Sequence, residues 1–203
     1  MKFENTKVYN FDGALRGMRN PLQSWDKSDS KWDGEIYIIG ENDLKLAKSL
    51  IKGGAETRKF LRQIFISVDI TAPRYWWQEY STYKIGTTED SESTMHRSMK
   101  QFITEDMFVL DKCDDIIVNN NTFDTLNTLN YLIKKYNETH DITYFRLFKQ
   151  KLPEGFLQMR TCTMNYENIY NMRNQRKNHK LSEWKVDFMN WSDELPYANE
   201  FFD

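Results

Sequence analysis

Ile64, Ile66, Val68 and Ile70 alternate with Phe65, Ser67 and Asp69. A period of two over that length constrains the backbone to a strand with one face in a core. Pro73 ends or bends this strand, because a proline carries no amide hydrogen for a ladder. The chain then enters Ala72 to Arg97, APRYWWQEYSTYKIGTTEDSESTMHR, an aromatic block running into a segment rich in hydroxyls and carboxylates. It leaves the sheet as a crowded turn or short helix and reaches a loop at Gly86, and loops held by rigid elements are where sites sit. Tyr75, Trp76, Trp77, Tyr80 and Tyr83 admit two readings, a wall that stacks a planar ring system or a piece of core.

The 203 residues suffice for one domain, taken as residues 1–203, with a sizeable core. Hydrophobic residues make up 39% and charged residues 29%, with a mean hydropathy of −0.76, so a strongly polar surface and no membrane span are expected. The opening MKFENTKVYNFDG lacks the apolar core and small-residue cleavage site of a secretory signal, from which a cytoplasmic protein is expected. Cys113 and Cys162 are the only cysteines and form no CxxC, which fits a reducing compartment. A net charge of −2 and a pI near 6.0 argue against long nucleic acid as the main partner, because that binding needs many cations on one face. A single small phosphate needs only about two or three local donors.

Residues 10–34, rich in Gly, Asn, Asp, Ser and Pro, read as loop with at most a short helix near Ala14 to Met18, pinned to the body by Trp25 and Trp32. Glu35 to Ile39 is a short strand candidate. Asn42 or Asp43 caps a helix with Leu44, Ala47, Leu50 and Ile51 on one face, closed by Gly53 and Gly54. Thr94 to Phe102 reads as helix, Glu105 to Asp115 as solvated acidic loop, and Thr122 to Tyr136 as an amphipathic helix with Leu126, Leu129, Leu132, Ile133 and Tyr136 on one face. Thr143 to Lys151 is a helix or extended piece and Phe156 to Thr163 a strand. Asn165 begins a helix running towards Leu181, and Ser182 caps a last one with Trp184, Phe188 and Trp191 inward.

His96, His140 and His179 lie far apart and none sits in an HxxxH or HExxH pair, so no metal site is expected. GxSxG, GxGxxG and GxxxxGK[ST] are absent. Arg173, Arg176, Lys177, His179 and Lys180 form the one basic cluster. On a helix, Arg173, Arg176 and Lys180 would converge on one anion, or else complement the dipole of a solvated helix end.

The C-terminal third, KLPEGFLQMRTCTMNYENIYNMRNQRKNHKLSEW, resembles the flavin-dependent thymidylate synthases. That family carries a Leu-Pro, then T-x-N opening a helix, then an Arg and a short acidic and aromatic segment. Leu152, Pro153, Thr163, Asn165, Arg176, Glu183 and Trp184 match it, with Pro153 and Asn165 twelve apart and Asn165 and Arg176 eleven apart. The family signature, V-P, then R-Q-W-x-R-H-R, then N-E-x-S-x-R, falls on Ala72 to Arg97. With Pro73 on the Pro, Glu79 stands at the Gln, Tyr80 at the Trp, and Thr82, Tyr83 and Lys84 at Arg-His-Arg. Glu89 and Ser91 keep the Glu and Ser, Ser93 replaces the last Arg with Arg97 four residues on, and Ala55 replaces the His of a Gly-His turn before the hydroxyl of Thr57.

The resemblance implies a single α+β domain with a central, mostly antiparallel sheet and packed helices, the thymidylate synthase-complementing-protein fold. It implies a homotetramer with FAD and dUMP where subunits meet, methylenetetrahydrofolate supplying carbon and NADPH reloading the flavin. It places Arg176 on the nucleotide with Lys149, Glu79 and Ser91, Glu89 and again Ser91 at the reacting centre, and Thr57, Thr82, Tyr83, Lys84, Asn165 and Arg97 at the flavin. Thr82-Tyr83-Lys84 lacks the planar guanidinium forks of Arg-His-Arg, which a Lys does not reproduce. Beside a dUMP-methylating enzyme stand two other expectations: a nucleotide-binding or structural homologue without flavin, and an enzyme for another pyrimidine nucleotide. Glu79 in place of Gln favours a donor-rich base edge such as cytosine's amino group.

Overall fold

In this computed structural model, which describes residues 1–94, 99–111 and 114–202, strands β1 (Lys2–Tyr9), β4 (Phe65–Pro73), β6 (Leu157–Asn165) and β5 (Thr88–Ser91) lie in that order in one sheet. β4 buries Ile66, Val68, Ile70 and Ala72 and leaves Phe65 exposed, as its alternation dictates. A separate hairpin pairs β2 (Lys31–Asp33) antiparallel with β3 (Ile36–Ile38). The helices are α1 (Phe11–Met18), α2 (Glu41–Lys52), α3 (Arg74–Tyr80), α4 (Ile116–Thr139), α5 (Ile142–Lys151), α6 (Tyr166–Arg176), α7 (Met189–Asp193) and α8 (Ala198–Phe202). Mixed helices with an antiparallel sheet make the class α+β, as expected. Among the described residues no helix is long and apolar enough to cross a membrane.

The chain divides into two compact units. The first comprises residues 1–70, 83–89 and 161–203, and the second residues 71–82 and 90–160. In the first, α1 and α6 both pack on the 3-10 stretch Arg58–Gln63, and α2 packs on α8. Phe11 meets Tyr166 edge-on with centroids 5.5 Å apart, and Phe60 meets Phe201 likewise at 6.0 Å. In the second, α4 packs along α5, with Leu129, Leu132 and Ile133 against Phe145, Phe148 and Leu152. The Asn130 side chain accepts from the Ile103 amide (2.7 Å) and donates to its carbonyl (2.9 Å), tying a loop to this pair.

Several local expectations are corrected. The cap of α2 is neither Asn42 nor Asp43. Its N-cap is Gly40, and the Asp29 carboxylate, reaching in from the loop, accepts from the amides of Asn42 (2.9 Å) and Asp43 (3.1 Å). Asp43 is instead fully buried and accepts from Arg19 Nε (2.6 Å), Ser28 Oγ (2.7 Å) and Ser30 Oγ (2.6 Å). Burial pushes its carboxyl up, but the hydrogen bonds from Ser30, Ser28 and Arg19 outweigh that and hold it below the usual carboxylate range. Trp25 and Trp32 do not pin their loop to the body: Trp25 is exposed and donates to Asn20 Oδ1, and exposed Trp32 stands edge-on to Tyr37 within the hairpin. Helix α4 begins at Ile116, capped by Asp115, rather than at Thr122. Ser182 makes no capping hydrogen bond, and Glu183–Phe188 is π-helical, although Trp184, Phe188 and Trp191 are buried as expected.

Candidate functional site

Strand β6 hands over to α6 at Asn165. The Asn165 side chain accepts from the Asn168 amide (3.0 Å), and the Asn168 side chain accepts from the Asn165 amide (3.0 Å), a reciprocal capping box. Asn168 Nδ2 also donates to the Ile85 carbonyl (2.7 Å), which seats the loop after Tyr83 on the helix start. Gly86 lies there at φ 80°, and a Cβ on it would come within 2.7 Å of Asn165 Nδ2. Only glycine meets both demands.

Arg176 closes the last turn of the same helix. Its Nε donates to the Tyr83 hydroxyl (2.8 Å), which donates in turn to Gln175 Oε1 (2.9 Å). The guanidinium carbon stands 5.5 Å from the Tyr83 ring centroid and 5.0 Å from that of Trp184. Tyr83, from the signature region, and Arg176 with Trp184, from the C-terminal match, are thereby joined around one cation. Lys84 and Glu89 are exposed in the same unit.

The convergence of Arg173, Arg176 and Lys180 on one anion is not formed. Helix α6 stops at Arg176, so Lys177 and Lys180 lie beyond it and are exposed. Arg173 is buried and donates to Ser192 Oγ and Asp193 Oδ1, with Phe202 beneath its guanidinium at 5.5 Å. Thr57 closes α2, its hydroxyl donating to the carbonyls of Leu50 (2.6 Å) or Gly54 (3.0 Å). A second ionic group escaped sequence reasoning: buried Glu167 is held by Arg58 (3.2 Å) and Arg62, and Arg58 also lies 4.4 Å over the Tyr170 ring. The partners are more than a hundred residues apart in sequence, and no spacing could have paired them.

In the second unit, Trp76, Trp77 and Tyr80 are at most 2% exposed. Trp76 stacks on Tyr80 at 5.2 Å, Trp77 meets Trp76 edge-on at 4.9 Å, and the Arg160 guanidinium covers Trp77 at 4.3 Å. Of the two readings, core is therefore the one realised for these three rings, and they present no open face to a flavin. Glu79 is half-buried on α3, the Thr82 hydroxyl donates to the Glu79 carbonyl (2.7 Å), and Ser91 is exposed at the end of β5. Lys149 donates to Thr94 Oγ1, and burial, then the Arg74 charge, holds its ammonium below the usual lysine range. His96, Arg97, Cys113 and residues 95–98 of the expected Thr94 to Phe102 helix lie outside the described residues, and that helix does not extend over residues 99–102, which form turn and bend. Among the described residues, no group of His, Cys, Asp and Glu is placed to hold a metal ion.

No protein-family model matches the chain, and no curated protein matches it in sequence. Solved structures do. Thymidylate synthase X (ThyX) from Helicobacter pylori, crystallised with FAD and dUMP, matches with a TM-score of 0.73 at 21% identity, over 100% of this chain and 97% of that one. A second structure, flavin-dependent thymidylate synthase ThyX from Helicobacter pylori complexed with FAD and dUMP, matches with a TM-score of 0.73 at 20% identity over the same shares. At such identity the likeness is one of fold, and it extends along the whole of this chain.

Proposed function

We propose that this protein binds a pyrimidine deoxynucleotide of the dUMP type, with Arg176 as its main anion-binding group. The observation that carries the reading is the end-to-end fold likeness to a ThyX solved with dUMP. The surroundings of Arg176 support it. A guanidinium already oriented by the Tyr83 hydroxyl and flanked by two rings loses less freedom when an anion arrives. Lys84 and Glu89 supply further polar groups in the same unit, and Glu79, Lys149 and Ser91 belong to the second.

Four of the residues that the resemblance assigns to FAD, Thr57, Thr82, Asn165 and Tyr83, fit it poorly as they stand. Thr57 and Thr82 commit their hydroxyls to helix ends, Asn165 caps α6, Tyr83 holds Arg176, and the largest rings are core. The enzyme reading, methylation of dUMP with reduced FAD and methylenetetrahydrofolate, is favoured by one observation: Glu89 and Ser91, the retained signature residues, stand exposed on β5. NADPH and a homotetramer belong to that reading.

The test uses the purified full chain with isothermal calorimetry for dUMP and dCMP, and visible absorbance for flavin. Arg176→Ala is expected to cut dUMP affinity about 10- to 100-fold, the value of a lost charge-assisted hydrogen bond, with an unchanged circular dichroism spectrum. A parent protein that binds no dUMP, or an Arg176→Ala variant that binds it equally, sinks the proposal. A colourless preparation that gains no thermal stability from added FAD removes the enzyme reading alone. A tenfold preference for dCMP that Glu79→Gln abolishes would move the assignment to a cytosine nucleotide.

A further inference from the structure

The first unit contains a cavity of about 850 Å³ that includes none of the nucleotide-site candidates. This is within the usual size of small-molecule sites. Its walls come from the end of β1 and the start of α1, from the β2–β3 hairpin, and from the segment Trp191 to Tyr197. Six rings line it: Tyr9, Phe11, Trp32, Tyr37, Trp191 and Tyr197. Three carboxylates also line it, Asp12, Glu35 and Glu194, and among the described residues no Lys or Arg does.

These walls are tied to one another. Tyr197 accepts from the Ile39 amide (2.9 Å) and donates to the Tyr37 carbonyl (3.1 Å), fixing one strand of the hairpin, and Trp191 Nε1 donates to Thr6 Oγ1 (3.0 Å). Yet Trp32, Ile36 and Tyr9 of the lining are 56%, 70% and 51% exposed. Large apolar side chains left exposed in the lining of a cavity point to a ligand. Its charge follows from the walls. Ring faces attract cations, and the lining carboxylates carry three negative charges with no lining cation to offset them. At the Tyr37 hydroxyl, Asp12 of the lining acts together with Asp43 and against Arg16, both of which lie outside the lining. A phosphate would be repelled here.

We propose that this cavity binds an amphiphilic organic cation, a protonated or quaternary amine carrying an apolar body. The probe is benzyltrimethylammonium, titrated into the full chain by calorimetry and by tryptophan fluorescence, with benzyl alcohol as the neutral comparison. The cation is expected to bind about tenfold more tightly than the alcohol and to weaken with added salt. The double variant Glu35→Gln and Glu194→Gln, both exposed positions, should lose about tenfold for the cation and nothing for the alcohol. Trp32→Ala should weaken both ligands and leave dUMP titration unchanged, which separates this proposal from the preceding one. Equal affinities for cation and alcohol, no binding of the cation, or an unaffected charge variant would each overturn it. So would an oligomer that the cation dissociates, since the occupant would then be a second copy of the chain.

Discussion

Replacing Asp43 by Ala should be the most damaging single change to the first unit. Its carboxylate is fully buried and receives Arg19 Nε at 2.6 Å, Ser28 Oγ at 2.7 Å, and from Ser30 the hydroxyl at 2.6 Å and the amide at 3.2 Å. Arg19, only 4% exposed, cannot turn to water when that partner goes. Removing one member of a buried pair costs about 3–5 kcal/mol. Arg19 keeps bonds to the carbonyls of Ser24 (3.2 Å) and Lys27 (3.1 Å), which places the expected loss at the lower end, about 3 kcal/mol. For a chain of this size that lowers the melting temperature by about 6–12 °C. The pH dependence gives a second handle. The Asp43 carboxyl is held below its ordinary value in the fold, so its contribution is complete above the unfolded value near pH 3.9 and fades as pH falls through the lower folded one. Urea unfolding followed by circular dichroism at pH 7, and again in the acid range, measures both effects. The parent and Asp43→Ala should converge in acid. A variant within about 1 kcal/mol of the parent at pH 7, or a gap that does not narrow in acid, would refute the reasoning.

Gly86→Ala combines a positive φ with a 2.7 Å approach to Asn165 Nδ2, and should cost about 1–3 kcal/mol in the same unfolding assay. Arg173→Ala should destabilise by a similar amount through lost bonds to Ser192 and Asp193, with dUMP affinity in the surviving folded protein unchanged, the reverse of Arg176→Ala. Thr57→Val should remove the hydroxyl that closes α2 at a cost of about 1 kcal/mol, and calorimetry should find nucleotide binding unaltered.

What the sequence discloses of this fold depends on whether the signal is local. The buried face of β4 is written in four alternating residues, and the cap of α6 in Asn165, whose partner Asn168 is three residues on. Strand β1 was not legible. From Lys2 to Tyr9 only Phe3 and Val8 are partly covered, and its membership rests on pairing with β4 some sixty residues away. The aromatic block carried its answer in a spacing: Trp76, Trp77 and Tyr80 share one face of a short helix, which is how core residues repeat. The basic cluster misled because its geometry assumed helix as far as Lys180, whereas α6 ends at Arg176. Of the candidate site, Arg176 and Tyr83 could be named singly, but their hydrogen bond spans 93 residues and no periodicity reports it.

Asn168 makes the loop after Tyr83 and the first turn of α6 a single latch. The side chain that accepts from the Asn165 amide also donates to the Ile85 carbonyl, while its own amide is held by Asn165. A ligand that draws the loop outward has to release the helix start, and one that presses it inward tightens both. Hydrogen exchange at the amides of Asn165 and Asn168 would therefore register events at the loop through positions that need not touch the ligand.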